Sequence, residues 1–142
     1  MARQMYVAGP VFEWGSGRHK IFEAVTEEAA RLGSKVVLPV RDEYVDQLEP
    51  TRFTEHIVSE IEEADGVVTI LAAGDQSVPV ESAIAAMKGK RQIIVAEDGH
   101  KAPRILAGLP GVVDVVRFDD HEALAAGMSR LTMPDEASST SW

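Results

Sequence analysis

Two acidic residues in the middle of the chain carry the strongest chemical signal. Asp75 and Glu81 stand six positions apart in the stretch Gly74-Asp75-Gln76-Ser77-Val78-Pro79-Val80-Glu81. Pro79 suits the first position of a helix, because its missing N–H would have no partner there. Glu81 then falls in the first helical turn, where the partial positive charge of the helix end favours the ionised carboxylate. A carboxylate held this way can attack an electrophilic carbon. A plainer role is open to each residue. Asp is a common turn residue, and Glu81 could be a helix-end charge in a capping box. The capping box fits poorly. With Pro79 first, the cap is Val78, which has no side-chain acceptor; with Ser77 as cap, Glu81 stands four positions on rather than three.

A second stretch with chemical content is Gly9-Pro10-Val11-Phe12-Glu13-Trp14-Gly15-Ser16-Gly17-Arg18. Its glycines let backbone approach a ligand closely, and the helix start that follows favours an anion. Ser16 and Arg18 suit a phosphate or a sugar hydroxyl. Phe12 and Trp14 suit stacking on a flat ring. The spacing matches neither the dinucleotide-binding fingerprint nor the P-loop. A surface loop ahead of a helix cap has the same composition, and both readings stand. His19, His56, His100 and His121 are scattered without metal-ligand spacing, so neither a metal nor a cofactor is expected. His56 alone is placed near the site, while His121 reads as a surface residue. Asp42, Glu43, Asp46 and Glu49 form an acidic loop, ordinarily a solvated face, although Tyr44 or Asp46 there could lid a pocket.

The elements that would position these residues follow from the apolar pattern. Met5 to Ala8 reads as a buried strand stopped by Gly9-Pro10. A helix from about Arg18 to Leu32 carries Ile21, Phe22, Val25, Ala29 and Leu32 on one face, and Gly33 ends it. Val36 to Leu38 is a second strand. A helix over Thr51 to Ala64 repeats Phe53, Ile57 and Ile61 at spacing four. Gly66 to Leu71 is the third strand. The helix opening at Pro79 runs to Lys88 before Gly89, and Met87 on it reads as core. Ile93 to Val95 and Val112 to Val116 are the fourth and fifth strands, with a short turn between them near Pro103 to Leu106. Asp119 and Glu122 have capping-box spacing for a last helix to about Leu131. Strands alternating with helices imply an α/β fold: a doubly wound parallel sheet in three α/β/α layers. Five strands suggest the flavodoxin-like, Rossmann-like order 2-1-3-4-5. Ligands in such sheets sit past the carboxyl ends of strands 1 and 3. The two stretches above occupy those places.

Composition narrows the function classes. The 142 residues are 45% hydrophobic and 26% charged, which fits one domain over residues 1–132. The polar end, 133–142, reads as a disordered tail. Trp142 at its tip is either incidental or a plug on a neighbouring subunit. The absence of cysteine excludes disulfides, thiolate metal sites and a cysteine nucleophile. A net charge of −9 argues against general nucleic-acid or anionic-membrane binding, but not against one small anion at a local basic site. No apolar run reaches membrane-spanning length and no signal peptide is visible, so a cytoplasmic protein is expected.

Tyr6-Val7-Ala8-Gly9-Pro10-Val11-Phe12 resembles the opening of the nucleoside 2-deoxyribosyltransferase family. Ala64-Asp65-Gly66-Val67-Val68, followed by Asp75, Glu81, Ala85 and Gly89-Lys90, is similar to the same family. The similarity runs from Met5 to about Val95. It implies the fold just derived and cleavage of a nucleoside N-glycosidic bond. Glu81 would attack the anomeric carbon, the covalent sugar would pass to another base or to water, and Asp75 would handle the base and its proton. Relatives acting on 2'-deoxynucleoside 5'-monophosphates are hydrolases that hold the phosphate with Ser and Arg groups. The substrate contacts implied here are Gly9, Pro10, Phe12, Trp14, Ser16, Arg18, His56 and Ser77. Two positions depart from the family pattern. Ile57 stands where the family carries an Asp, and Ser77-Val78-Pro79 replaces a small turn before the Glu. A non-catalytic nucleotide or nucleotide-sugar binding module on the same fold is the alternative. Family members complete the pocket with a neighbour's residues, so a homodimer or larger assembly is expected, packed through apolar positions such as Val58, Ile84 and Met87.

Overall fold

The structure, a computed structural model, describes residues 3–9, 19–37, 47–71, 77–97 and 101–133. The strands are β1 Gln4–Ala8, β2 Lys35–Val37, β3 Gly66–Leu71, β4 Gln92–Ala96 and β5 Val112–Arg117. The helices are α1 His19–Arg31, α2 Pro50–Glu63, α3 Ser77–Met87, α4 Arg104–Ala107 and α5 His121–Thr132. All five strands pair in parallel in the order β2-β1-β3-β4-β5, as the alternating pattern predicts. β3 and β4 are buried along their whole length, which a parallel sheet covered on both faces requires.

Alternation along the strands divides the core in two. Met5, Val7, Val68, Ile70, Ile93 and Val95 face α1 and α5, where they meet Ile21, Phe22, Val25, Leu124 and Met128. Tyr6, Ala8, Val67, Leu71 and Ile94 face α2, α3 and α4, where they meet Ile57, Ile61, Val78, Ala85 and Leu106. Gly9, just past β1, is buried, and a Cβ there would lie 2.7 Å from the Phe22 ring. A side chain at this position would have to push the Phe22 ring aside. Asp65 ties the start of β1 to β3: its carboxylate accepts from Gln4 N at 2.7 Å, and its own N–H donates to Gln4 O at 2.8 Å.

Some element ends differ from the sequence reading. α3 already includes Ser77 and Val78 ahead of Pro79, so proline is not its first residue. A missing N–H is tolerated anywhere among the first four positions, which lack helical partners. Glu81 consequently lies in the second turn, and no acidic residue occupies the first. The helix end thus favours its charge less than the sequence suggests. Asp120, not Asp119, caps α5, accepting from Ala123 N at 3.0 Å. Asp119 pairs with Arg117 at 2.8 Å instead. Met87, read as core, is 66% exposed, because α3 is apolar on all sides and only some of those sides meet the sheet.

The far ends of α2 and α3 are tied together. Lys88 Nζ stands 2.6 Å from the Glu62 carboxylate, and Lys90 Nζ donates to Glu62 O at 2.8 Å. The hydrogen bond from Lys88, and then its charge, hold the Glu62 carboxyl below its ordinary range. Gly111 sets the edge where β4 and β5 begin. Its φ is +84°, its carbonyl accepts from Gln92 N at 2.8 Å, and a Cβ there would lie 2.4 Å from Lys90 O. Gly111→Ala is expected to destabilise the protein by more than the ~1–2 kcal/mol of left-handed strain alone, since backbone must also move. A urea unfolding midpoint equal to the parent's would contradict this packing.

Candidate functional site

The N-terminal halves of α2 and α3 leave a cleft at the carboxyl edge of the sheet. Its volume is about 250 Å³, and its lining is Phe53, Thr54 and Ile57 from α2 with Ser77, Val80, Glu81 and Ile84 from α3. The spacing of four between Phe53 and Ile57 puts both on one side of α2. Ile57 turns inward to the sheet and is 4% exposed, while Phe53 is half-buried at the cleft wall. Thr54 is engaged locally, its hydroxyl donating to Pro50 O at 2.9 Å.

Glu81 is the one ionisable side chain among the described lining residues. Only 5% of its surface is exposed. Its Oε1 accepts a hydrogen bond from the Tyr6 hydroxyl at 3.1 Å. Tyr6 lies on β1 and is fully buried. A side chain from a central strand thus reaches under the cleft to orient a carboxylate on the helix above. An oriented, largely desolvated carboxylate at the wall of an apolar cleft is suited to attack on an electrophilic carbon or to proton transfer. Sequence reading missed Tyr6 because it sits in the middle of a buried strand, where an aromatic residue passes for core. Its hydroxyl was the available signal, since a buried Tyr usually has a partner for it.

The other expected site residues fall in three groups. Ser77 lines the cleft with Glu81. Gly9 sits at the end of β1 with the packing role described above. His56 lies on α2 but not among the residues lining the cleft; its Nε2 stands 3.0 Å from Glu60 Oε1. Burial raises the Glu60 carboxyl above its ordinary value; the charge and hydrogen bond of His56 pull it back, and Glu63 adds to the rise. Asp75, Pro10, Phe12, Trp14, Ser16 and Arg18 lie outside the described residues, as do Tyr44, Asp46, His100 and Trp142. Among the described residues no group of three or more His, Asp or Glu converges as a metal site would require, and no helix is long and apolar enough to cross a membrane.

No protein-family model and no curated protein matches the chain. Solved structures do. A 2-deoxyribosyltransferase from Bacillus psychrosaccharolyticus superposes with a TM-score of 0.67 at 16% identity, covering 92% of each chain. Its fold is also this chain's fold. The CMP N-glycosidase BcmB of Clostridium botulinum superposes at 0.63 and 14% identity, over 90% of this chain and 99% of its own. A Burkholderia pseudomallei protein described as pilus assembly-related also shares the fold, at 0.57 and 16% identity, over 91% and 88%. One architecture therefore serves proteins with different descriptions, and activity has to be argued from the site.

The Tyr6–Glu81 contact is open to a direct test. Tyr6→Phe removes the hydroxyl and keeps the ring. A hydrogen bond to a charged group contributes about 1.5–3 kcal/mol, so a loss of that size is expected. In the Glu81→Gln background the same change should cost clearly less, as a double-mutant cycle on unfolding free energies would read. Equal costs in the two backgrounds would show that the hydroxyl does not bond to a charged carboxylate.

Proposed function

We propose that this protein cleaves the N-glycosidic bond of a nucleoside or nucleoside 5'-monophosphate, with Glu81 as the nucleophile. The observation that carries the proposal is the buried Glu81 side chain, its carboxylate oriented by Tyr6, in the wall of a cleft otherwise lined by apolar and hydroxyl side chains. That cleft lies on a fold shared with a 2-deoxyribosyltransferase and a CMP N-glycosidase. In the proposed reaction a Glu81 oxygen bonds to the anomeric carbon as the carbon–nitrogen bond breaks. The base leaves with the bonding electron pair and takes a proton from Asp75. A second base or water then attacks the anomeric carbon as the ester carbon–oxygen bond breaks, which frees the Glu81 carboxylate, and the attacking group's proton returns to Asp75. Phe12 and Trp14 are proposed to stack on the base, and Ser16 and Arg18 to hold a 5'-phosphate, with Pro10 shaping the same loop. No cofactor is required by this scheme.

Ile57 favours a second reading, a nucleotide-binding module without turnover. It puts a buried apolar side chain beside Glu81, where the resemblance would have a carboxylate. A ligand that raised the melting temperature without being cleaved would support that reading, since binding to the folded state alone stabilises it.

Incubation with a panel of nucleosides and 5'-monophosphates, with released base measured by chromatography, tests the enzyme reading. Glu81→Gln and Glu81→Ala should abolish release. Asp75→Asn should retain more activity, since general acid work contributes about 10²–10⁴-fold. An active Glu81→Gln protein would exclude Glu81 as nucleophile. We also propose a homodimer or larger assembly. Val80 and Met87 are 59% and 66% exposed, and the spacing of Val80, Ile84 and Met87 puts them on one side of α3. Light scattering at micromolar concentration should give at least twice the 15.4 kDa chain mass, and a monomer would refute the assembly.

A further inference from the structure

Burial alone cannot orient α3. Its sequence, Ser77-Val78-Pro79-Val80-Glu81-Ser82-Ala83-Ile84-Ala85-Ala86-Met87, places apolar side chains all round. Val78, Ala85 and Ala86 are buried, while Val80 and Met87 are exposed. A rotation by one residue, about 100°, would exchange one apolar face for another. The same rotation would carry Glu81 out of the cleft. A directional contact has to choose between these arrangements.

The contact is a buried amide. Gln92, at the start of β4, is fully buried together with Ser82 and Thr69. Gln92 Oε1 accepts from Ser82 Oγ at 2.6 Å and from Thr69 Oγ1 at 2.9 Å. Its Nε2 donates to Ser82 O at 3.0 Å. One amide therefore holds Ser82 at both side chain and backbone, and Thr69 anchors that amide to β3. Ser82 is the residue after Glu81. When Ser82 is pinned toward the sheet, Glu81 is turned about 100° away from it, into the cleft. Rotating α3 would break both bonds to Ser82 in an interior where each orphaned polar group is costly. Polar groups in otherwise apolar surroundings fix register in other folds by the same means.

We infer that Gln92, with Ser82 and Thr69, is a positioning lock that sets the rotation of α3 and so aims Glu81 into the cleft. The aiming part rests on the reading of Glu81 as the reacting group; the rotational part does not. The combined variant Thr69→Val/Ser82→Ala/Gln92→Leu replaces the network with apolar groups of similar size. It leaves no buried orphan, so its melting temperature should stay near the parent's. Amide hydrogen exchange in residues 78–87 should speed by more than about tenfold. The kcat for base release should fall by about 10²-fold, with KM within about threefold. Thr69→Ser keeps the hydroxyl and should retain parental kcat and exchange. Should the combined variant fail to fold, Ser82→Ala removes only one of the two holds on α3 and must move both readouts in the same direction. Parental exchange in α3 would overturn the lock, whether or not kcat falls. Loosened exchange with parental kcat would overturn its role in aiming Glu81. If the parent protein releases no base, the enzyme reading fails, and exchange in α3 still decides the lock.

Discussion

A carboxylate with 5% of its surface open must be given partners by the fold, because an ionised group taken from water without them is strongly disfavoured. Here the Tyr6 hydroxyl supplies one, from a strand that lies under the cleft. The geometry works only because β1 and β3 are neighbours in parallel register, with Tyr6 opposite Val67. The helix after β3 then passes over β1's side chains. The chain order of the sheet reverses between these strands, and the helices that follow them, α1 and α3, lie on opposite faces, the arrangement beside which ligands bind in such sheets.

The two ends of the α2–α3 pair are built differently. At one end, Lys88 and Lys90 draw the helices together through Glu62. At the other, Phe53, Ile57, Val80 and Ile84 line an open cleft, with a buried acid at its wall. Among the described residues the core beneath is apolar apart from Thr69, Ser82 and Gln92, with Gln92 bonding to both hydroxyls. Among the described residues, the buried polar side chains of α3 thus stand one position apart: Glu81 at the cleft and Ser82 at the sheet.

Much of this was legible in the sequence. A parallel strand covered on both faces is a short, nearly continuous apolar run, and Val67-Val68-Thr69-Ile70-Leu71 and Ile93-Ile94-Val95 announce themselves that way. The amphipathic spacing of Phe53, Ile57 and Ile61 gave away α2. The start of α3 was misplaced because Pro79 fits the first position so well, although the first four N–H groups of a helix are all without helical partners and proline is tolerated among them. The exposure of Met87 was not legible, since α3 has apolar residues on every side and its rotation depends on a glutamine from another strand. Tyr6 and Gln92 were hidden for one reason: each is a polar tip on a residue whose body belongs to the core. His56 stood one position from Ile57, and in a helix that single step, about 100°, takes it from the cleft to Glu60.

The central claim is that Glu81 forms a bond to the sugar. The most direct measurement is the mass of the Glu81-containing peptide after incubation with a 2-fluoro nucleoside analogue, whose fluorine slows release of the sugar from a covalent intermediate. The account predicts that this peptide gains the mass of one fluorinated glycosyl group and that fragmentation places it on Glu81. Base release from the analogue with the adduct on a different residue, or with no adduct on the protein at all, would contradict it.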